Sequence, residues 1–189
     1  MDDVDRKIIS QLQGDGRTTL EQLARLVGFS NMGAKKRLDK LIAGGTISIS
    51  ALVNTERIGL HVALILIEIE DAVAVHKLLD RFKECPRVVN IFTALGGYNL
   101  IALVVAEDRE TLDSISVEKC SLRSVEGIRR SEFYPIGNVY YSPFLPIREH
   151  LAHMGRDITP CGVDCHPCSR YTANKCVGCP ATSYYRGTL

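Results

Sequence analysis

Five of the seven cysteines lie close together near the C-terminus, spaced Cys161-x3-Cys165-x2-Cys168-x7-Cys176-x2-Cys179. A C-x2-C knuckle bends two thiolates toward one centre. Two such knuckles supply four soft sulfur ligands, which suit tetrahedral Zn2+ or a [4Fe-4S] cluster. The spacing does not choose between these metals, nor which four of the five cysteines are ligands, and His166 is a further donor. Inert thiols and a redox-active C-x2-C pair are the competing readings, and the clustering favours a metal. Pro167, Gly178 and Pro180 supply turns around the knuckles. Beyond residue 158 large aliphatic side chains are few, so the stretch 143–189 has too little apolar surface for a core of its own and needs a staple. Cys85 and Cys120, each alone on an expected helix, read as buried thiols.

A second chemistry is expected near the N-terminus. Val4, Ile8, Ile9 and Leu12 share one face of a helix from Asp3 to Gln13. Thr18 and Glu21 have capping-box spacing ahead of a second helix that turns Leu20, Leu23, Ala24 and Val27 inward. Gly28 makes the turn, Phe29 is expected to plug the core, and Ser30 is the N-cap of a third helix running to Ile42. The arrangement is a helix-turn-helix. Ala34, Leu38, Leu41 and Ile42 form the buried stripe of the third helix, which leaves a basic outer face. Such a face enters a major groove of double-stranded DNA. Ser30, Asn31 and Met32 stand at the base-edge end, with Lys35, Lys36, Arg37 and Lys40 toward phosphates.

These two chemistries flank a strand-helix repeat. Thr46 to Val53 alternates as a half-buried connecting strand. Strands at His61–Glu70, Val88–Ala94, Asn99–Val105 and Ile128–Tyr134, with helices at Ala72–Cys85 and Glu110–Leu122, give the ferredoxin-like order βαββαβ. The fold class is therefore α+β. The expected organisation is a (winged) helix-turn-helix domain over 1–48, a connecting strand over 49–60, a ferredoxin-like domain over 61–142, and a cysteine-rich metal-binding tail over 143–189. The Gly96-Gly97 turn could present backbone N–H groups to an anionic ligand, although two glycines between strands are more often only a hairpin. No catalytic constellation is placed by these elements, and His61 and His76 are isolated.

Composition excludes other classes. The 189 residues are 46% hydrophobic and 24% charged, ordinary for a globular protein. No apolar run is long enough to cross a membrane, and the acidic start is unlike an export signal, so a reducing, cytoplasmic setting is expected. In such a setting clustered cysteines favour metal over disulfides. The net charge of +1 conceals segments of about +2 (1–48), −3 (49–142) and +2 (143–189).

Several stretches resemble the Lrp/AsnC (feast/famine) family of transcription regulators. Asp2-Asp3-Val4-Asp5-Arg6-Lys7-Ile8 is similar to the family's L-D-x-x-D-x-K-I, and Leu23-Ala24-Arg25-Leu26-Val27-Gly28-Phe29-Ser30 to its L-A-x-x-V-G-L-S. Arg37-Leu38-x-x-Leu41-x-x-x-Gly45-x-Ile47 resembles the segment closing its recognition helix. The resemblance covers roughly residues 1–141. It implies a sequence-specific DNA-binding regulator and not an enzyme. It further implies a homodimer paired through its sheets, often assembled to an octamer, with a small-molecule effector site at the segment matching Gly96, Gly97, Tyr98 and Asn99. The family usually has G-[DE]-[YF]-D there, so Gly97 and Asn99 each replace a carboxylate. Tyr98-Asn99-Leu100 also resembles the siroheme decarboxylases, an enzyme branch on this scaffold, but Ile101 to Val105 follow where that branch carries a His. The Cys161-x3-Cys165-x2-Cys168 triplet resembles the radical SAM motif, whose barrel no pattern here supplies. With the added cysteines, the expected regulator responds to redox state, iron or another metal, or else carries a purely structural zinc.

Overall fold

The computed structural model describes residues 1–189, which divide into two compact units, Met1–Ala51 and Leu52–Leu189. The first holds three helices, α1 (Asp3–Gly14), α2 (Leu20–Val27) and α3 (Asn31–Ala43). Asp2 caps α1 by a reciprocal box in which each of Asp2 and Asp5 accepts the other's backbone N–H at 3.0 Å. The box at α2 is formed by Thr19 and Gln22, not by Thr18 and Glu21, because Thr18 instead donates its hydroxyl to the Asp15 carbonyl at 2.7 Å. Gly28 ends α2 with φ +73°, a left-handed turn that a side chain would strain.

Ile8, Leu23, Ala24, Ala34 and Leu41 are buried together at the centre of this unit. Two expected core residues are not. Phe29 is 46% exposed and Ile42 is 42% exposed. Phe29 lies beside Gly33, where an added Cβ would stand 3.4 Å from the Phe29 Cβ and the Ser30 Oγ, in close contact. The expected connecting strand and wing do not form. After α3 the only nearby strand is β1 (Val53–Asn54), and Ile49 and Leu52 are exposed, so the alternation there has no sheet to bury against.

The second unit contains the ferredoxin-like domain: β2 (His61–Ile69), α4 (Ala72–Phe82), β3 (Val88–Thr93), β4 (Leu100–Ala106), α5 (Arg109–Val117) and β5 (Ile128–Pro135). The sheet is antiparallel in the order β3-β4-β2-β5. Both helices begin on an aspartate, Asp71 or Asp108, whose carboxylate accepts the N–H three residues on. They stop earlier than expected, α4 at Phe82 and α5 at Val117, and a short 3-10 turn at Leu122–Ser124 follows the second. Ala63, Ile65, Ile67 and Ile69 of β2 meet Leu78 and Phe82 of α4 and Leu112 and Ile115 of α5 in the main core. Period-2 alternation puts Leu64, Leu66, Leu103 and Ile101 on the opposite face, where they are half-buried.

The tail belongs to this second unit and wraps the domain. β6 (Phe144–Leu145) pairs antiparallel with β1. The final Leu189 is buried with Leu60, Val62, Val105 and Ile147. A short helix, α6 (Ser169–Thr172), carries the buried Tyr171 between the cysteine knuckles. The last stretch therefore shares the domain's apolar surface, which answers its shortage of large aliphatic side chains.

Candidate DNA-reading face and thiol cavity

On α3 the N-cap Ser30 accepts the Gly33 N–H at 3.1 Å, which leaves its hydroxyl hydrogen free toward solvent. Asn31, Met32, Lys35, Lys36 and Lys40 are all exposed, Met32 to 74%. Lys35 lies 3.5 Å from Asp39, an exposed pair one turn apart that neutralises it only weakly. Lys36 and Lys40 form no ion pair and present their charges outward. Arg37 corrects the expectation for this face. Its Nε donates to Asp5 at 2.5 Å and its Nη2 to Asp2, so the guanidinium bolts α3 to the start of α1 rather than facing phosphates.

That bolt makes the first unit acid-sensitive. The Arg37 hydrogen bond and then the Asp2 N–H hold the Asp5 carboxyl below its ordinary range, and the Asp5 N–H does most of the same for Asp2. A lowered carboxylate pKa contributes stability that is complete above the unfolded value of about 3.9 and is lost as pH falls through the folded value. Protection of residues 1–51 from hydrogen exchange is expected to fall on acidification from that value downward. Arg37→Met should flatten the dependence, and coincident acid profiles for parent and variant would remove this role.

The effector segment connects β3 to β4. Neither Gly96 nor Gly97 has a positive φ, so the turn does not need glycine for its backbone. The Asn99 side chain donates to the Ile69 carbonyl at 2.7 Å and accepts the Ile69 N–H at 2.9 Å. Asn99 is thus committed to the backbone of β2, which removes its side chain from the expected effector set. Tyr98 and Tyr134 both donate to Glu132, and Arg130 lies over the Tyr98 ring at 4.4 Å.

The tail is fastened to α4 and α5 by named bonds. Arg81 donates to the Cys161 carbonyl at 3.2 Å, Arg170 to the Ser114 hydroxyl at 2.5 Å, and the Val177 N–H to Thr111 at 3.2 Å. Between tail and domain lies a cavity of about 40 Å³, lined by Cys85, Cys120, Cys161, Cys165, Cys176 and Cys179. A neighbouring hollow of about 320 Å³ is lined by Cys120, Cys165, Cys168 and Cys176. All seven cysteines are free thiols. No three His, Cys, Asp or Glu side chains stand as a ready-made metal group. His166 is exposed and tied to Asp164 at 3.0 Å, with its ring 4.1 Å from that of Tyr184, and it borders the hollow without lining either space.

Burial pushes the Cys165 thiol up to about 11 and the Cys179 thiol to about 12, so without a metal these sulfurs are protonated and unreactive. Arg87 also lines the cavity and is paired with Glu107 at 2.7 Å. The Tyr184 hydroxyl is buried beside Cys165 without a hydrogen-bond partner. Sequence patterning does not bring Cys85, Cys120, Arg87 and Tyr184 to this place. The one available signal is that the two remaining cysteines each follow the end of a helix, and spacing alone does not carry them to residues 161–179.

Residues 1–42 match the AsnC-type helix-turn-helix domain and residues 62–141 the Lrp/AsnC ligand binding domain. The chain is 28% identical to the HTH-type transcriptional regulator FL11 of Pyrococcus furiosus over 67% of its length and 85% of that protein's. It is 36% identical to the uncharacterized HTH-type transcriptional regulator YezC of Bacillus subtilis, over 60% of its length and 81% of that protein's. Among solved structures it is similar to the leucine response regulatory protein LrpA of Mycobacterium tuberculosis, with TM-score 0.66 and 26% identity, covering 76% of this chain and 97% of that one. Neither domain match extends past residue 141, which leaves the cysteine tail outside both. The chain belongs to the Lrp/AsnC family, as a transcriptional regulator that joins an AsnC-type DNA-binding helix-turn-helix to an Lrp/AsnC ligand-binding domain.

Proposed function

We propose that this regulator reads its operator with the outer face of α3 and responds to redox state, iron or another metal through a thiolate-held centre in its tail. The observation that carries the DNA half is the unpaired, exposed Lys36 and Lys40 on the face that begins at Ser30, Asn31 and Met32. Each lysine that neutralises a phosphate releases a counterion. Lys36→Ala and Lys40→Ala are therefore expected to weaken operator binding and lower the salt-dependence slope by about 0.9 for each phosphate no longer neutralised. Unchanged affinity and slope in the double variant would overturn the assigned face. Lys35 contributes less because Asp39 competes for it.

The sheet face carrying Leu64, Leu66, Ile101 and Leu103, with Phe92 48% exposed beside it, supports pairing of two copies into a homodimer. No helix is long and apolar enough to cross a membrane, in keeping with a cytoplasmic regulator. The metal half rests on the tail cysteines Cys161, Cys165, Cys168, Cys176 and Cys179. Metal-binding free energy in a segment this poor in aliphatic side chains is largely folding free energy, so gain or loss of the centre reorganises the tail. Anaerobic purification with metal and sulfide analysis separates the alternatives. Iron, sulfide and visible colour identify a [4Fe-4S] cluster, and colourless stoichiometric zinc identifies a structural centre. A second reading is a small anionic effector, favoured by the half-exposed Arg130 beside Gly97 and Tyr98.

A further inference from the structure

The tail's cysteines do not face one another in isolation. Cys161, Cys165, Cys176 and Cys179 share their cavity with Cys85, in the turn after α4, and with Cys120, in the segment after α5. Cys120, Cys165 and Cys176 also line the adjoining hollow that Cys168 borders. Every cysteine of the chain therefore opens onto one pair of neighbouring spaces, at the seam where the tail docks on the ferredoxin-like domain. The seam is held from both sides. Arg148 of the tail donates to the Cys85 carbonyl at 3.2 Å, and Arg81 of α4 donates to the Cys161 carbonyl at 3.2 Å.

Two further features suit a thiolate centre at this position. Arg87 brings a buried cation to the cavity wall, where thiolate charge would collect. The buried Tyr184 hydroxyl lies beside the Cys165 sulfur but makes no well-formed hydrogen bond, so its donor hydrogen is available to a thiolate there. A metal-bound sulfur offers the acceptor, as ligand atoms are commonly oriented by surrounding hydrogen bonds. The six thiols lining this cavity come from both the tail and the domain, so the four that a tetrahedral metal uses are available from either side of the seam.

We propose that the centre is shared: Cys85 and Cys120 of the ferredoxin-like domain supply thiolate ligands alongside the tail cysteines, and a soft metal, as Zn2+ or an iron–sulfur cluster, fastens the tail to that domain. The inference rests on the metal-binding reading of the tail. Each thiol that becomes a ligand exchanges its S–H bond for a sulfur–metal bond and releases one proton to solvent. Because the same domain carries the effector segment and the pairing face, the state of the metal acts directly on the part of the regulator that sets its assembly.

The test uses the full-length chain with Cd2+ as a thiolate probe, reading the sulfur-to-metal charge-transfer absorbance, together with zinc and iron content after anaerobic purification. The parent is compared with Cys85→Ser, Cys120→Ser and the double variant, with circular dichroism as the check on folding. The expected result is a stepwise loss of charge-transfer absorbance and a weakening of metal affinity on the order of 100-fold in the double variant. A folded double variant with the parent's metal content, absorbance and affinity would overturn the shared centre while leaving a tail-only site. Should the double variant fail to fold, the single ones decide: lowered absorbance in either folded variant supports sharing, and parental absorbance in both overturns it. A parent chain that binds none of the metals overturns the tail reading and the shared centre together.

Discussion

Replacing Arg87 with Met is expected to destabilise the second unit by about 3–5 kcal/mol, because it leaves the Glu107 carboxylate buried without its counter-charge. Both side chains are almost wholly enclosed, 7% and 5% exposed, and they meet through two guanidinium nitrogens at 2.7–3.2 Å. Burial is the largest single influence and opposes the Arg87 charge, but the Glu107 carboxylate and the facing Cys176 and Cys179 together outweigh it, and the guanidinium holds its proton more tightly than one in water. Tyr185 adds a third donor to Glu107, which binds the end of the tail into the same group. The measurement is urea unfolding by circular dichroism, with hydrogen exchange used to assign the transition to residues 52–189. The double variant Arg87→Met with Glu107→Leu should recover much of the loss, since two apolar side chains remove the stranded charge. A single variant within about 1 kcal/mol of the parent would show that the pair does not hold this unit.

The position of Arg87 explains why the pair matters beyond its own energy. It stands between a carboxylate on one side and the thiol cavity on the other, so one buried cation serves both the tail's anchor at Tyr185 and the wall facing Cys176 and Cys179. The tail is held by its buried Ile147 and Leu189 and, around the thiol cavity, by arginines that reach carbonyls and hydroxyls: Arg81, Arg148 and Arg170. Such bonds are directional and individually modest, on the order of 1 kcal/mol each, which is the regime in which an added metal staple decides whether a segment stays docked.

What can be read in the sequence is local. The helix start at Ser30, the left-handed turn at Gly28, and the period-2 alternation of β2 each depend on neighbours within a few residues, and they place the helix-turn-helix and the four-stranded sheet. Long-range pairing is not legible. Arg37 has the same type and helical phase as a phosphate-binding residue, yet two aspartates more than thirty positions away claim it. Thr46 to Val53 alternates as a strand should, but alternation needs a neighbouring strand, and the chain supplies a partner only for Val53 and Asn54. Asn99 likewise has the place of a ligand-loop residue, while its amide is taken up by the Ile69 backbone. The cysteines combine both cases. Their spacing announces a soft-metal chemistry in the tail, while the approach of Cys85 and Cys120 depends on how a segment far along the chain, beginning at Cys161, folds back across two helices.

In the first unit, Leu23→Ala is expected to abolish operator binding by unfolding the domain that presents α3. Leu23 is fully enclosed, one of five buried apolar residues at the centre of the three short helices. Truncating a buried leucine costs about 2–5 kcal/mol, the transfer loss plus the cavity it leaves. A unit of this size has only about 3–8 kcal/mol to lose at typical values per residue. The variant should therefore show near-complete loss of exchange protection across residues 1–51 while the sheet of the second unit stays protected. Leu26→Ala, close by on the same helix but 44% exposed, should change stability by less than about 0.5 kcal/mol and bind DNA as the parent does. The contrast separates a structural defect from the removal of a phosphate-binding charge, because Lys36→Ala and Lys40→Ala weaken binding with the fold intact, whereas Leu23→Ala removes the fold on which both lysines depend. A Leu23→Ala chain with parental protection and affinity would mean that α3 is held by something other than this core.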